Sequence, residues 1–128
     1  MKQIKIKSTE EQEQRKFFDY LALQSDPLCK LPYHQVNQGK RGYQYAKMLQ
    51  RTGMKRGIPD VFIPIPKGIY HGFFIEFKVR PNKPTEDQEQ WLDALTSQGY
   101  LCMVAYSGDE AIKAFSLYLA LREDQRFS

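Results

Sequence analysis

The chain has 128 residues, 41% of them hydrophobic and 13% aromatic, which is enough to bury one core and too little for two, so a single domain over residues 1–128 is expected. No apolar run approaches the roughly 18 residues needed to cross a bilayer, and Lys2, Lys5 and Lys7 interrupt the stretch behind Met1, so no membrane partner and a cytoplasmic location are expected. The net charge of +4 is unevenly spread: Pro27 to Pro59 holds Lys30, Lys40, Arg41, Lys47, Arg51, Lys55 and Arg56 and no acid, whereas Thr85 to Asp93 holds Glu86, Asp87, Glu89 and Asp93 and no base. Cys29 and Cys102 lie far apart and outside any CxxC spacing, which argues against a zinc knuckle or a disulfide framework and for ordinary buried thiols.

Along the chain, Thr9 to about Leu23 reads as a helix, with Thr9 as N-cap and Phe17, Phe18 and Leu21 at helical spacing, ended by Ser25, Asp26 and Pro27. Leu31 to about Val36 reads as a short strand. The polar, glycine-punctuated basic segment from Asn37 to Gly57 follows, with part of it, Tyr43 to Leu49, helical. Ile58 to Ile63 is a strand stopped by Pro64 and Pro66, Pro66 to Gly72 a turn, and Phe73 to Val79 a second strand, which predicts an antiparallel hairpin. Pro81, Asn82 and Pro84 break the chain before Thr85 and Gln88, which are spaced as a capping box. The helix they open carries Trp91, Leu92 and Leu95 on one side and ends near Gly99. Tyr100 to Tyr106 is a strand, and Asp109 to about Arg122 a final helix with Ile112, Phe115 and Leu119 inward. The expected order is α-β-β-β-α-β-α.

The two central strands contain Ile58-Pro59-Asp60 and Ile75-Glu76-Phe77-Lys78, three ionisable side chains inside apolar runs. Alternation along a strand puts Glu76 and Lys78 on one face, and an antiparallel partner can bring Asp60 beside Glu76 on that face. Two carboxylates and a backbone carbonyl such as that of Phe77 supply the hard oxygen ligands that magnesium or manganese prefers. A cation held there can acidify water and stabilise charge on phosphorus, with Lys78 orienting the nucleophile or neutralising the developing anion. On spacing alone a second reading stands beside this one: Glu76 and Lys78 as a plain ion pair, with Asp60 a turn residue after Pro59. The basic segment, interleaved with Tyr43 and Tyr45, suits a nucleic-acid backbone with exposed bases, or is a solvated loop.

Pro59-Asp60, fifteen intervening residues, then Glu76-Phe77-Lys78 resembles the PD-(D/E)XK nuclease signature. The wider pattern of Gly57-Ile58-Pro59-Asp60, Ile75-Glu76-Phe77-Lys78, Thr85 with Gln88 and Trp91, and Gly99-Tyr100 resembles the VRR-NUC (virus-type replication-repair nuclease) family within that superfamily. Glu10, Gln14, Tyr20 and Leu21 fit its opening helix, so the likeness runs from about residue 9 to 120. The resemblance implies an α/β, restriction-endonuclease-like core with a mixed sheet of about four strands flanked by helices. It further implies magnesium or manganese dependence and phosphodiester hydrolysis of DNA. Asp60 and Glu76 would be metal ligands, Lys78 the catalytic lysine, Gln88 a supporting residue, and Glu10 a further carboxylate, with Glu11 and Glu13 nearby. Surface polar roles on amphipathic helices are the alternative for Glu10 and Gln88.

Standalone members of this family, often encoded by phages or prophages and so active in a bacterial host cell, are similar to Holliday junction resolvases and work as homodimers. The resemblance therefore implies a structure-selective endonuclease on branched or four-way DNA in replication, recombination or repair. A restriction-like or nicking enzyme on ordinary duplex, or a non-catalytic DNA-binding module, are the competing readings. Lys40, Arg41, Lys47, Arg51, Lys55 and Arg56 are the expected phosphate contacts, and Tyr43 and Tyr45 the expected stacking residues. His34 and His71 read as satisfied or exposed, and Trp91 as core.

Overall fold

A computed structural model describes residues 7–36, 47–48 and 50–128. Helix α1 (Glu10–Leu23) opens on Thr9, whose hydroxyl accepts from the Gln12 amide while the Gln12 side chain accepts from the Thr9 amide, a full capping box. Asp26 then caps a short 3-10 helix, Pro27–Lys30, with proline at its first position. This turn lies between the expected helix end and the expected strand from Leu31 to about Val36, of which Tyr33–His34 forms β1.

Strands β2 (Val61–Ile63) and β3 (Phe73–Phe77) form the expected antiparallel hairpin, with Val61 opposite Ile75 and Ile63 opposite Phe73. Helix α2 (Glu86–Ser97) begins at the Thr85–Gln88 capping box, and Gly99, at φ +92°, follows its end. Strand β4 (Leu101–Ala105) returns parallel to β3, and helix α3 (Gly108–Leu119) ends three residues short of the expected Arg122. The sheet order is β1-β2-β3-β4, mixed and four-stranded as expected. No helix among the described residues is long and apolar enough to cross a membrane.

The two sheet faces are covered unequally. Phe73, Ile75 and Phe77 of β3 point with Val61, Ile63 and Ala105 at α1 and α3, where Phe17, Leu21, Ala111, Ala114, Phe115 and Tyr118 complete a buried cluster. In α3 the buried residues are Ala111, Ala114, Phe115 and Tyr118, whereas Ile112 and Leu119 sit at the margin, a rotation of the expected inward face. The opposite face carries Phe62 stacked on Phe74 with centroids 4.4 Å apart, Tyr100 against Phe74, and then Glu76. Helix α2 lies over this side, yet none of its residues is fully buried: Trp91, Leu92 and Leu95 are all half-buried. Cys29 is buried, and Cys102, on the thinner face, only partly so.

Within the buried cluster the Tyr118 hydroxyl donates to the Ile65 carbonyl at 2.6 Å, tying α3 to the chain leaving β2. Tyr118→Phe keeps the ring packing and leaves that carbonyl without its donor, so urea unfolding is expected to show a loss of about 1–3 kcal/mol. An unchanged midpoint would mean that the carbonyl finds another donor.

Candidate active site

Asp60 stands immediately before β2 and Glu76 near the end of β3, so the register that pairs Val61 with Ile75 sets the two carboxylates side by side on the face away from α1 and α3. Asp60 Oδ2 accepts from the Phe77 backbone N–H at 2.8 Å. The backbone at Pro59 and Asp60 is held from β1 and the residue after it: the Gln35 side chain donates to the Pro59 carbonyl at 3.0 Å, the Gln35 amide donates to the Asp60 carbonyl at 2.7 Å, and His34 Nδ1 lies 3.0 Å from that same carbonyl. Gln14 of α1 reaches His34 Nδ1 at 2.9 Å. Satisfied histidine is thus the correct reading of His34, but its place beside Asp60 was not legible, because the pairing of β1 with β2 joins residues more than twenty positions apart.

Glu76 is only 2% exposed. Its Oε2 accepts from Gln88 Nε2 at 3.0 Å and lies 3.5 Å from Lys78 Nζ, while its Oε1 is buried with no hydrogen-bond partner. The plain ion pair is therefore present in geometry but engages one oxygen and leaves the other orphaned. Burial first, and then the charge of Asp60, push the Glu76 carboxyl up to about 8. Burial also raises Asp60, offset in part by the Phe77 N–H.

The three N-terminal glutamates separate by role. Glu11 pairs with Arg15 on the exposed side of α1. Glu13 accepts from the Gly108 amide at 2.9 Å, where it caps α3, and its hydrogen bonds hold its carboxyl below the usual range. Glu10 is the one whose charge acts on both Asp60 and Glu76.

Gln88 is held at both ends of its amide: the carbonyl accepts from the Thr85 N–H at 2.9 Å in the capping box, and the amino group donates to Glu76. The loop before Asp60 packs on the same turn of α2. Gly57 has φ +75°, and a Cβ there would lie 3.0 Å from the Asp87 backbone, so a side chain would push the loop off the helix. Of the expected DNA-contacting residues, Lys47, Arg51, Lys55 and Arg56 are exposed; Lys40, Arg41, Tyr43 and Tyr45 lie outside the described residues. Among the described residues no group of three or more histidine, cysteine or acidic side chains is set to hold a metal. The carboxylate pair still fits a cation, since a buried and a half-buried carboxylate of raised affinity for protons and an orphaned Oε1 are what a divalent ion would neutralise.

A mixed four-stranded sheet flanked by helices, with an Asp and a Glu-x-Lys at adjoining ends of its two central strands, matches a nuclease core of the PD-(D/E)XK type. The chain matches the VRR-NUC domain model over residues 3–109 and belongs to that family. A solved structure named "VRR_NUC domain protein" is 27% identical and superposes with a TM-score of 0.81 over 94% of this chain and 96% of its own. No curated protein matches. Family membership makes DNA the implied substrate and divalent-metal dependence the general property of the type.

Without a cation, the raised Glu76 carboxyl has a definite consequence for stability. Its folded-state value of about 8 exceeds the ordinary 4.5, so the folded state binds the extra proton; the stabilisation is complete below the ordinary value and is lost as pH rises through about 8. In chelator, the melting temperature of the wild type is expected to fall between pH 5 and 8.5, and that of Glu76→Gln to fall less. Parallel curves for the two proteins would show that Glu76 ionises normally.

Proposed function

We propose that this protein is a metal-dependent, structure-selective DNA endonuclease of the Holliday junction resolvase kind, working as a homodimer in replication, recombination or repair. The observation that carries the metal assignment is the orphaned, buried Oε1 of Glu76 beside Asp60. Asp60, Glu76 and the Phe77 carbonyl would be the ligands for magnesium or manganese, with Glu10 of α1, whose charge acts on both carboxylates, the candidate for a further carboxylate. When bound, the cation supplies Lewis acidity toward the scissile phosphate. Gln88 keeps one Glu76 oxygen occupied so that the other stays directed at the site. Lys78, 8% exposed and within 3.5 Å of that carboxylate, stabilises negative charge developing on the phosphate. The exposed Lys47, Arg51, Lys55 and Arg56, together with Lys40 and Arg41, contact the DNA phosphates, and Tyr43 and Tyr45 stack on exposed bases. One domain holds one such site, and symmetric cutting of a junction takes two, which is the mechanistic reason for a homodimer.

Cleavage of a labelled four-way junction and of a linear duplex with the same arms tests this reading. The junction is expected to be cut in magnesium or manganese and not in chelator, with Lys78→Ala reducing the rate by about a hundredfold to a thousandfold at unchanged circular dichroism. Because Glu76 must lose its proton to hold a cation and its carboxyl sits near 8, cleavage should rise from pH 6 to 8.5. Equal cutting of the linear duplex would favour a restriction-like or nicking enzyme. Binding without any cutting, unaffected by Asp60→Ala and Glu76→Ala, would make the chain a non-catalytic DNA-binding module.

A further inference from the structure

One face of α2 carries a groove of about 360 Å³, lined by Asp87, Gln90, Trp91 and Ala94 of the helix and by Arg56 of the loop before Asp60. The four helical residues follow the spacing of one helix face, so the groove is a continuous feature of α2 against which the Gly57 contact seats Arg56. Trp91 is half-buried, which corrects its reading as a core residue: its ring is part of the groove wall. Among the described residues neither Arg56 nor Asp87 has an ion pair.

The chemistry of these groups selects a ligand. An indole ring and a guanidinium offer flat surfaces for a planar π system. Gln90 can both donate and accept, and Asp87 accepts only, which suits the exocyclic amino group and ring nitrogens of a base. Asp87 disfavours a phosphate inside the groove, whereas the exposed Arg56, with Lys55 next to it in the chain, favours one just outside. A flat, uncharged, hydrogen-bonding ring joined to an anion meets all of these conditions. In a duplex the faces of the bases are already stacked on one another, so only an unpaired nucleotide offers one. The groove also adjoins the site: Gln88, next to Asp87, is bonded to Glu76.

We propose that this groove holds an unpaired nucleobase of the DNA strand beside the carboxylate pair, making an unstacked nucleotide part of what the protein recognises. The inference rests on the nuclease reading above and adds to it the feature that distinguishes branched or frayed DNA from plain duplex.

Trp91 is the sole tryptophan, so its emission reports on this groove alone. The full chain in chelator is titrated with a dye-labelled duplex bearing a short single-stranded adenine tail, with the same duplex carrying an abasic tail of equal charge, and with a blunt duplex, while anisotropy reports binding independently. The adenine tail is expected to quench the emission and the abasic tail to leave it near the blunt-duplex value. Trp91→Ala is expected to weaken binding of the adenine-tailed DNA by about tenfold, leaving blunt-duplex binding within about twofold. Gln90→Ala, at an exposed position, gives the same tail-specific loss in smaller degree should Trp91→Ala misfold. Equal quenching by both tails, or an equal loss of affinity for tailed and blunt DNA, overturns the base site and leaves the nuclease reading intact. Failure of every DNA to bind, together with no cleavage in metal, overturns both.

Discussion

Two carboxylates stand next to each other in a poorly solvated part of the sheet because the β2–β3 register leaves no other arrangement: Asp60 precedes Val61, Glu76 follows Ile75, and Val61 faces Ile75. Burial raises the affinity of both carboxyls for protons, and at Glu76 the charge of Asp60 adds to the effect. Much of the surrounding structure answers that repulsion. The Phe77 N–H is given to Asp60 Oδ2, the Asp60 backbone is anchored by Gln35 and His34, and Glu76 Oε2 is shared by Gln88 and Lys78. What is left uncompensated is a single oxygen, Glu76 Oε1. Among the described residues the other buried side-chain polar atoms are satisfied, and the one left open is the oxygen that the proposed cation would engage.

The parts of this arrangement that were legible in the sequence are those fixed by local spacing. Thr9 and Thr85 mark helix starts because a capping residue acts within three positions, and the hairpin follows from two β-forming runs with prolines between them. The juxtaposition of Asp60 with Glu76 followed from strand alternation plus that hairpin. Illegible features were the non-local ones. Nothing in Tyr33–His34–Gln35 announces which strand it will brace, and Glu10, Glu11 and Glu13 differ in role only because α3 and Arg15 claim two of them. Ile58 to Asp60 reads as strand but is not, since Gly57 adopts a positive φ to lean on α2 and Pro59 has no N–H to give to a ladder.

The unequal cover of the sheet explains the misreading of Trp91. Helical periodicity identifies an apolar side of α2 but cannot say how much lies beneath it. Here the side toward α1 and α3 takes nearly all of the buried apolar residues, and α2 closes the other side only in part. A helix placed this way shields Glu76 at its first turn while leaving Trp91, one turn further along, at an open edge.

The identity of the residue at position 88 shows how tightly folding and chemistry are joined in that first turn. A capping box accepts glutamate or glutamine at its third helical position, and a negative side chain there would also suit the positive end of the helix dipole, as Glu86, Asp87 and Glu89 do. Either residue can accept from the Thr85 amide. Only glutamine can at the same time donate to Glu76, whereas a carboxylate at this position would bring a further negative charge against a pair that already resists ionisation. The neutral amide is therefore demanded by the site and not by the helix, and it makes the start of α2 and the orientation of Glu76 a single structural event.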